Sequence, residues 1–175
     1  MIGAGLAKAA IAFSVNGEQR DLSDIVNQDS DISIFTIDSD EGLEIMRHTV
    51  AAQVLARAIK NLYPSAKLAI GPTIDDGFYY DFLCDQTVSI DDLPKIEKEM
   101  EKIVASKDLI KKTIHSKNDA IKGFADLDES YKVKIIEDSG QESDFQIYNQ
   151  GDSGFIDLCR GCLLYTSDAA DEGLG

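Results

Sequence analysis

Met46, Val50, Val54, Ala58 and Leu62 recur at every fourth position, and Leu55 and Ile59 widen the stripe. Such spacing predicts one amphipathic helix from about Leu43 to Leu62, because residues three and four apart share a helix face. Tyr63-Pro64 predicts its end, since the residue before proline is driven out of the helical region. The apolar face needs a partner, and the preceding segment offers strands. Ile11-Ala-Phe-Ser-Val15 runs into Asn16-Gly17, the favoured two-residue hairpin turn, then into Glu18-Gln-Arg-Asp21, and Ile32-Ser-Ile-Phe-Thr-Ile37 follows. In the polar stretch between them and the helix, Ser39 or Asp40 can act as the cap. Helices mixed with short hairpin strands put the chain in the α+β class.

Downstream, Lys67 to Phe82 reads as a hairpin, with two short β runs around Gly71-Pro72 and a turn at Asp76-Gly77. A second helix is predicted from Asp91 or Asp92, with Pro94 in its first turn and Ile96, Met100, Ile103 and Val104 on its buried face. Its Glu–Lys neighbours predict a solvated outer face. A third helical stretch covers 116–128. Strands are predicted at 131–136, 145–148 and 154–159, short runs rich in β-branched and aromatic residues. No internal repeat, P-loop or glycine-rich nucleotide fingerprint is present. The reading divides the chain into a β-rich module at 1–40 and a larger domain at 43–161.

Seventeen basic residues against 32 acidic ones leave a formal charge of −15. A chain so acidic does not bind nucleic acid through a broad phosphate-neutralising surface, so any RNA contact must be local or made elsewhere. No run reaches the roughly 18 to 20 apolar residues of a membrane span, and no basic stretch precedes the apolar start, so a cytoplasmic protein without membrane contact is expected. Cys84, Cys159 and Cys162 are odd in number, which favours free thiols in a reducing compartment.

Only two histidines are available for catalysis or metal binding. His115 stands in a Lys-rich stretch and is expected at the surface. His48 falls, at 100° per residue, near Ala52 and Leu55 on the inward flank of its helix, where a polar side chain needs a partner. Asp157-Leu-Cys159-Arg160-Gly161 sets a carboxylate, a thiol and a guanidinium at the end of a predicted strand. Together with Arg47-His48-Thr49, Gly71-Pro-Thr-Ile-Asp-Asp-Gly-Phe-Tyr-Tyr-Asp81 and Ser130-Tyr-Lys132-Val, in this order and at these separations, the block resembles the N-terminal region of bacterial threonyl-tRNA synthetases. The likeness runs from about residue 2 to 161. Its most specific parts are the Gly77–Asp81 and Asp157–Gly161 blocks.

The resemblance implies a truncated β-grasp (TGS) module followed by an editing domain with helices packed on an antiparallel sheet. It implies the acceptor end of threonine tRNA as partner, and hydrolysis of serine wrongly esterified to that tRNA. His48, Lys132, Asp157 and Cys159 match the family's catalytic positions, and Gly71, Tyr80 and Arg160 are expected to bind substrate. Such editing answers a physical need: one methyl is worth only about 1–3 kcal/mol of discrimination in a pocket that must accept the larger amino acid. Hydrolysis needs an oriented water, a proton acceptor or donor, and a cation near the developing oxyanion, which His48 and Lys132 can supply. Asp157 can orient these groups or hold the serine amino group. For the parent enzyme the resemblance implies ATP-dependent attachment of threonine to tRNA by a class II core, with ATP, Mg and zinc there, and a homodimer. No cofactor and no metal is expected in the residues present.

Two departures qualify the match. The family carries a second histidine four residues after the first, whereas His48 plus four is Ala52; counted back from Tyr63-Pro64 the position is Gln53, about 140° from His48 on an α-helix. Neither gives a His-x-x-x-His pair, and His48 with Cys159 alone cannot build tetrahedral zinc. Beyond Gly161 the family continues with Pro-His, whereas Cys162-Leu-Leu-Tyr-Thr-Ser and the residues after it look like a translated sequencing adapter. Residues 162–175 are therefore expected to be non-native, and the start is expected to be clipped. The alternatives are a freestanding trans-editing deacylase and an inactive RNA-binding module, the latter favoured by Ala52. Lys132→Ala is expected to reduce hydrolysis with little loss of folding, and Gly77→Val to damage the hairpin turn.

Overall fold

The computed structural model describes residues 3–166. A short helix α1 (Ala4–Ala9) leads into β1 (Ala10–Val15), which turns through Asn16 and Gly17 into β2 (Glu18–Asp21). Both turn residues have positive φ, 51° and 86°, as a type I′ turn requires. β3 (Ile32–Thr36) pairs antiparallel with the other edge of β1, giving the order β2-β1-β3. β1 is thus central, and its Ala12 packs against Ile45 and Met46 of the next helix.

That helix begins where Ser39 Oγ accepts the Gly42 N–H at 3.0 Å. It comprises α2 (Asp40–Thr49), a π turn (Val50–Leu55) and α3 (Ala56–Leu62). In the π turn the bonding widens to five residues, and the Ala56 N–H reaches back to the Ala51 carbonyl. The predicted hairpin follows, with an outer rung of β4 (Lys67–Leu68) on β7 (Phe82–Leu83) and an inner rung of β5 (Thr73–Ile74) on β6 (Gly77–Phe78). The turn is Asp75-Asp76. Gly71-Pro72 lies within one arm, where the Pro72 carbonyl accepts from Tyr79 N–H. A Cβ at Gly77 would meet nothing closer than 3.9 Å, and Gly77 does not have a positive φ, so the turn does not require glycine there for its backbone or for its first side-chain carbon.

α4 (Leu93–Ala105) packs on α3 with Ile96 and Ile103 buried, as its pattern predicts. β8 (Ile110–His115), which the sequence reading did not identify, pairs with β9 (Phe145–Gln150), and β10 (Ile156–Leu158) completes the antiparallel order β10-β9-β8. Helices α5 (Lys117–Asp126) and α6 (Ser130–Asp138) cover this sheet, with Phe124 and Ile136 on Phe145 and Ile147. The strand predicted at 131–136 is therefore a helix. Its Val133 and Ile136, three apart, both reach the Phe124 cluster.

The two sheets are bolted together by Asp21 at the end of β2. Its carboxylate accepts from Tyr148 Oη at 2.7 Å and pairs with Lys112 Nζ at 2.6 Å. Burial pushes this carboxyl up, but Lys112, the Leu163 N–H and Tyr148 outweigh it and hold it below its ordinary value. Cys162, Leu163 and Leu164 are buried, and the Leu164 N–H donates to Thr49 Oγ1 at 2.9 Å. Of the segment 162–175, residues 167–175 lie outside the described residues.

Candidate functional site

Four elements converge on a cleft of about 890 Å³: the α2–π segment, the β4–β7 hairpin, α6, and the strand end at β10. Each carries a residue singled out by sequence. The cleft is lined by His48, Gly71, Tyr80, Lys132, Asp157 and Cys159, with Arg160 exposed at its edge. All seven expected site residues therefore meet in one place.

At the centre is a buried ion pair. Lys132 and Asp157, 2% and 1% exposed, meet with Nζ 2.5 Å from Oδ1. Tyr80 closes the triangle, donating from its hydroxyl to Asp157 Oδ2 at 2.9 Å and accepting from Lys132 Nζ at 3.1 Å. The Leu158 N–H adds a fourth bond, to Asp157 Oδ1 at 2.8 Å. Burial raises the Asp157 carboxyl above its ordinary range, against the pull of Lys132, Tyr80 and Leu158. Gly71 is glycine because the Tyr80 ring lies against it: a Cβ there would stand 2.2 Å from Cδ2.

Beside this triangle the Cys159 sulfur lies 3.2 Å from His48 Nε2 and accepts the Gly161 N–H at 3.3 Å. Burial pushes the thiol up to about 12, so it stays protonated at neutral pH. Burial also lowers His48 below its ordinary value, opposed by the charges of Asp157 and Glu44. With the thiol protonated and the imidazole neutral, the two share a hydrogen bond whose donor is set by the ring tautomer, and no thiolate forms. The pair is therefore a held base, not a thiolate nucleophile.

No protein-family model matches the chain. Individual proteins do. The threonine-tRNA ligase of Clostridium novyi (strain NT) is 46% identical over 160 residues, 91% of this chain and 25% of that protein. Those of Marinobacter nauticus and of the Wolbachia of Brugia malayi are 46% and 45% identical, over 91% and 89% of this chain and 24% of each relative. The chain is homologous to one part of the threonine-tRNA ligases. It spans about a quarter of the length of the relatives it matches.

The structure of this ligase homologue departs from the sequence-based expectation in the element that carries Lys132. Lys132 comes from a helix, so it enters the cleft from the covering layer and not from the sheet. Ala52 lines the cleft next to His48, while Gln53 is wholly buried with neither amide atom paired. Among the described residues no group of three or more His, Cys, Asp or Glu side chains is placed to hold a metal ion, so the donor set does not fit a four-coordinate zinc. The outer wall, from Ile135, Ser139, Gln141, Asp144 and Gln146, was not foreseen, because no motif marks these residues. No helix among the described residues is long and apolar enough to cross a membrane.

Proposed function

We propose that the chain is the editing part of a threonine-tRNA ligase, binding the acceptor end of the tRNA and hydrolysing serine mistakenly esterified to it. The observation that carries this is the meeting of the Lys132–Asp157–Tyr80 triangle with the His48–Cys159 pair in one cleft. Neutral His48 accepts a proton from the attacking water as its oxygen adds to the ester carbonyl. The Lys132 ammonium faces the developing oxyanion, held there by Asp157 and Tyr80. When the ester C–O bond breaks, the proton passes to the departing ribose hydroxyl, and free serine leaves. On this reading Arg160, exposed at the edge, meets a tRNA phosphate without a broad basic surface. On this reading the first sheet is the TGS module, and the parent enzyme is a cytoplasmic, homodimeric ligase that attaches threonine with ATP, Mg and a zinc-bearing core outside these residues.

The test is deacylation of seryl- and threonyl-tRNA by the purified chain. Faster release of serine, lost in His48→Ala, is expected. Equal, background-level release of both amino acids would sink the reading. A second reading, an RNA-binding module without catalysis, is favoured by Ala52, whose methyl offers the cleft no proton-transferring group. It predicts that the chain binds the acceptor end but leaves the ester intact.

A further inference from the structure

Glu129 lies outside the cleft, yet its carboxylate ties three of the cleft's supports together. It is 4% exposed. One oxygen, Oε1, meets Lys60 Nζ of α3 at 2.6 Å, and the other, Oε2, accepts the Leu68 N–H of β4 at 2.9 Å. Lys60 is itself fixed, donating to the carbonyls of Ala66 and Pro64 at 2.8 and 3.2 Å. The main chain of Glu129 starts α6: its N–H donates to the Phe124 carbonyl, and its carbonyl accepts the Val133 N–H. Three residues beyond Glu129 stands Lys132, and three beyond Leu68 stands Gly71, under the Tyr80 ring. One carboxylate thus sets the arm that seats Tyr80 against the helix that carries Lys132.

A buried charge pair is weak support for stability, since apolar groups of similar size do as well or better. Its benefit here is registry between two elements whose side chains must meet within hydrogen-bonding distance. We propose that Glu129 is a positioning residue that holds Lys132 against Tyr80 and Asp157, an inference whose activity arm rests on the editing reading above. Glu129 acts through the placement of β4 and α6, and touches neither substrate nor reacting atoms.

The experiment compares the full chain with Glu129→Gln and with the apolar pair Glu129→Met/Lys60→Met. Far-UV circular dichroism and urea unfolding report the fold. NMR of 15N-lysine-labelled protein reports hydrogen exchange at the Lys132 ammonium, assigned by its loss in Lys132→Met/Asp157→Leu, and single-turnover hydrolysis of seryl-tRNA reports chemistry. The expected result is a double variant that folds, exchanges the Lys132 ammonium at least about tenfold faster, and loses about ten- to a hundredfold in the saturating single-turnover rate, with the half-saturating concentration of the chain within about twofold. Glu129→Gln, which keeps an acceptor for Leu68, should fall between the two, and it carries the test if the double variant does not fold. Unchanged Lys132 exchange in a folded variant overturns the proposal whether or not the chain hydrolyses seryl-tRNA. Absence of hydrolysis in the wild type overturns the editing reading alone, because the exchange measurement still decides the role of Glu129.

Discussion

Replacing Gly71 by alanine tests the packing on which the site stands. The new Cβ would lie 2.2 Å from Tyr80 Cδ2, 2.7 Å from Cε2 and 3.0 Å from Cγ. Carbon atoms rest at about 3.5–4.0 Å, so ring and arm must separate by about 1.3 Å or more. The backbone itself tolerates alanine, since Gly71 does not have a positive φ. Overpacking of this kind costs about 1–3 kcal/mol. If the ring tips to escape, its hydroxyl leaves Asp157 and Lys132, and a buried charged pair short of a hydrogen bond adds about 1–3 kcal/mol. The total is about 2–6 kcal/mol, read as a lower urea midpoint with an unchanged slope. A double-mutant cycle isolates the cause: with Tyr80→Ala the ring is gone, and adding Gly71→Ala should then be nearly neutral. Equal destabilisation by Gly71→Ala in both backgrounds, or none in either, would refute the argument that the glycine exists to seat Tyr80.

Three further outcomes are expected. Lys132→Ala should destabilise by about 3–5 kcal/mol in urea unfolding, because Asp157 is left buried and unpaired, and this replaces the sequence-based expectation of little loss of folding; Lys132→Met/Asp157→Leu should recover most of it, and a Lys132→Ala midpoint equal to wild type would show the pair is not buried in solution. Asp21, held below its ordinary value, contributes stability that is present above the unfolded value of about 3.9 and is lost as pH falls through the lower folded value; its partner Lys112, raised by Asp21 and Asp24 against burial, contributes stability that is full below its unfolded value and is lost as pH rises through the higher folded one. Urea midpoints across pH should therefore show both limbs, and Asp21→Asn should flatten the acid limb; an unaltered limb in that variant counts against the bolt. His48, lowered by burial, should titrate below 6.5 by NMR, and seryl-tRNA hydrolysis should fall as pH drops through that midpoint; a midpoint at or above 6.5 would mean the ring is not in the environment described.

What the sequence disclosed, and what it hid, follows from how local each signal is. The Asn16-Gly17 turn, the Ser39 cap and the Pro94 helix start are each decided within a few residues, and each forms as expected. The site residues were legible as blocks, yet the sequence did not give their supports. Tyr131-Lys-Val-Lys-Ile-Ile136 alternates as a strand does, but packing on Phe124 and Phe145 selects a helix, because burying Val133 and Ile136 together outweighs a weak β preference. β8 was hidden by its lysines: a Lys-rich stretch carries no apolar alternation, and the pairing with β9 and, for Lys112, the carboxylates of Asp21 and Asp24 exist only in the fold.

The π turn was in view without being read. A strict four-residue repeat outruns the 3.6-residue turn by about 40° per step, so on a straight α-helix Met46 and Ala58 would point about 120° apart. Yet Met46, Val54 and Ala58 are all buried. One widened turn between Val50 and Leu55 absorbs the drift. The same turn decides which residue meets His48: Ala52 lines the cleft, and Gln53, one position on, is sealed inside with its amide unpaired. A buried unpaired amide costs about 1–3 kcal/mol, a cost that replacement by a shape-matched apolar side chain removes. Gln53→Leu should therefore raise the urea midpoint while leaving the His48–Cys159 contact intact. A lower midpoint would mean that the amide has partners in solution, and that the turn is wound differently there.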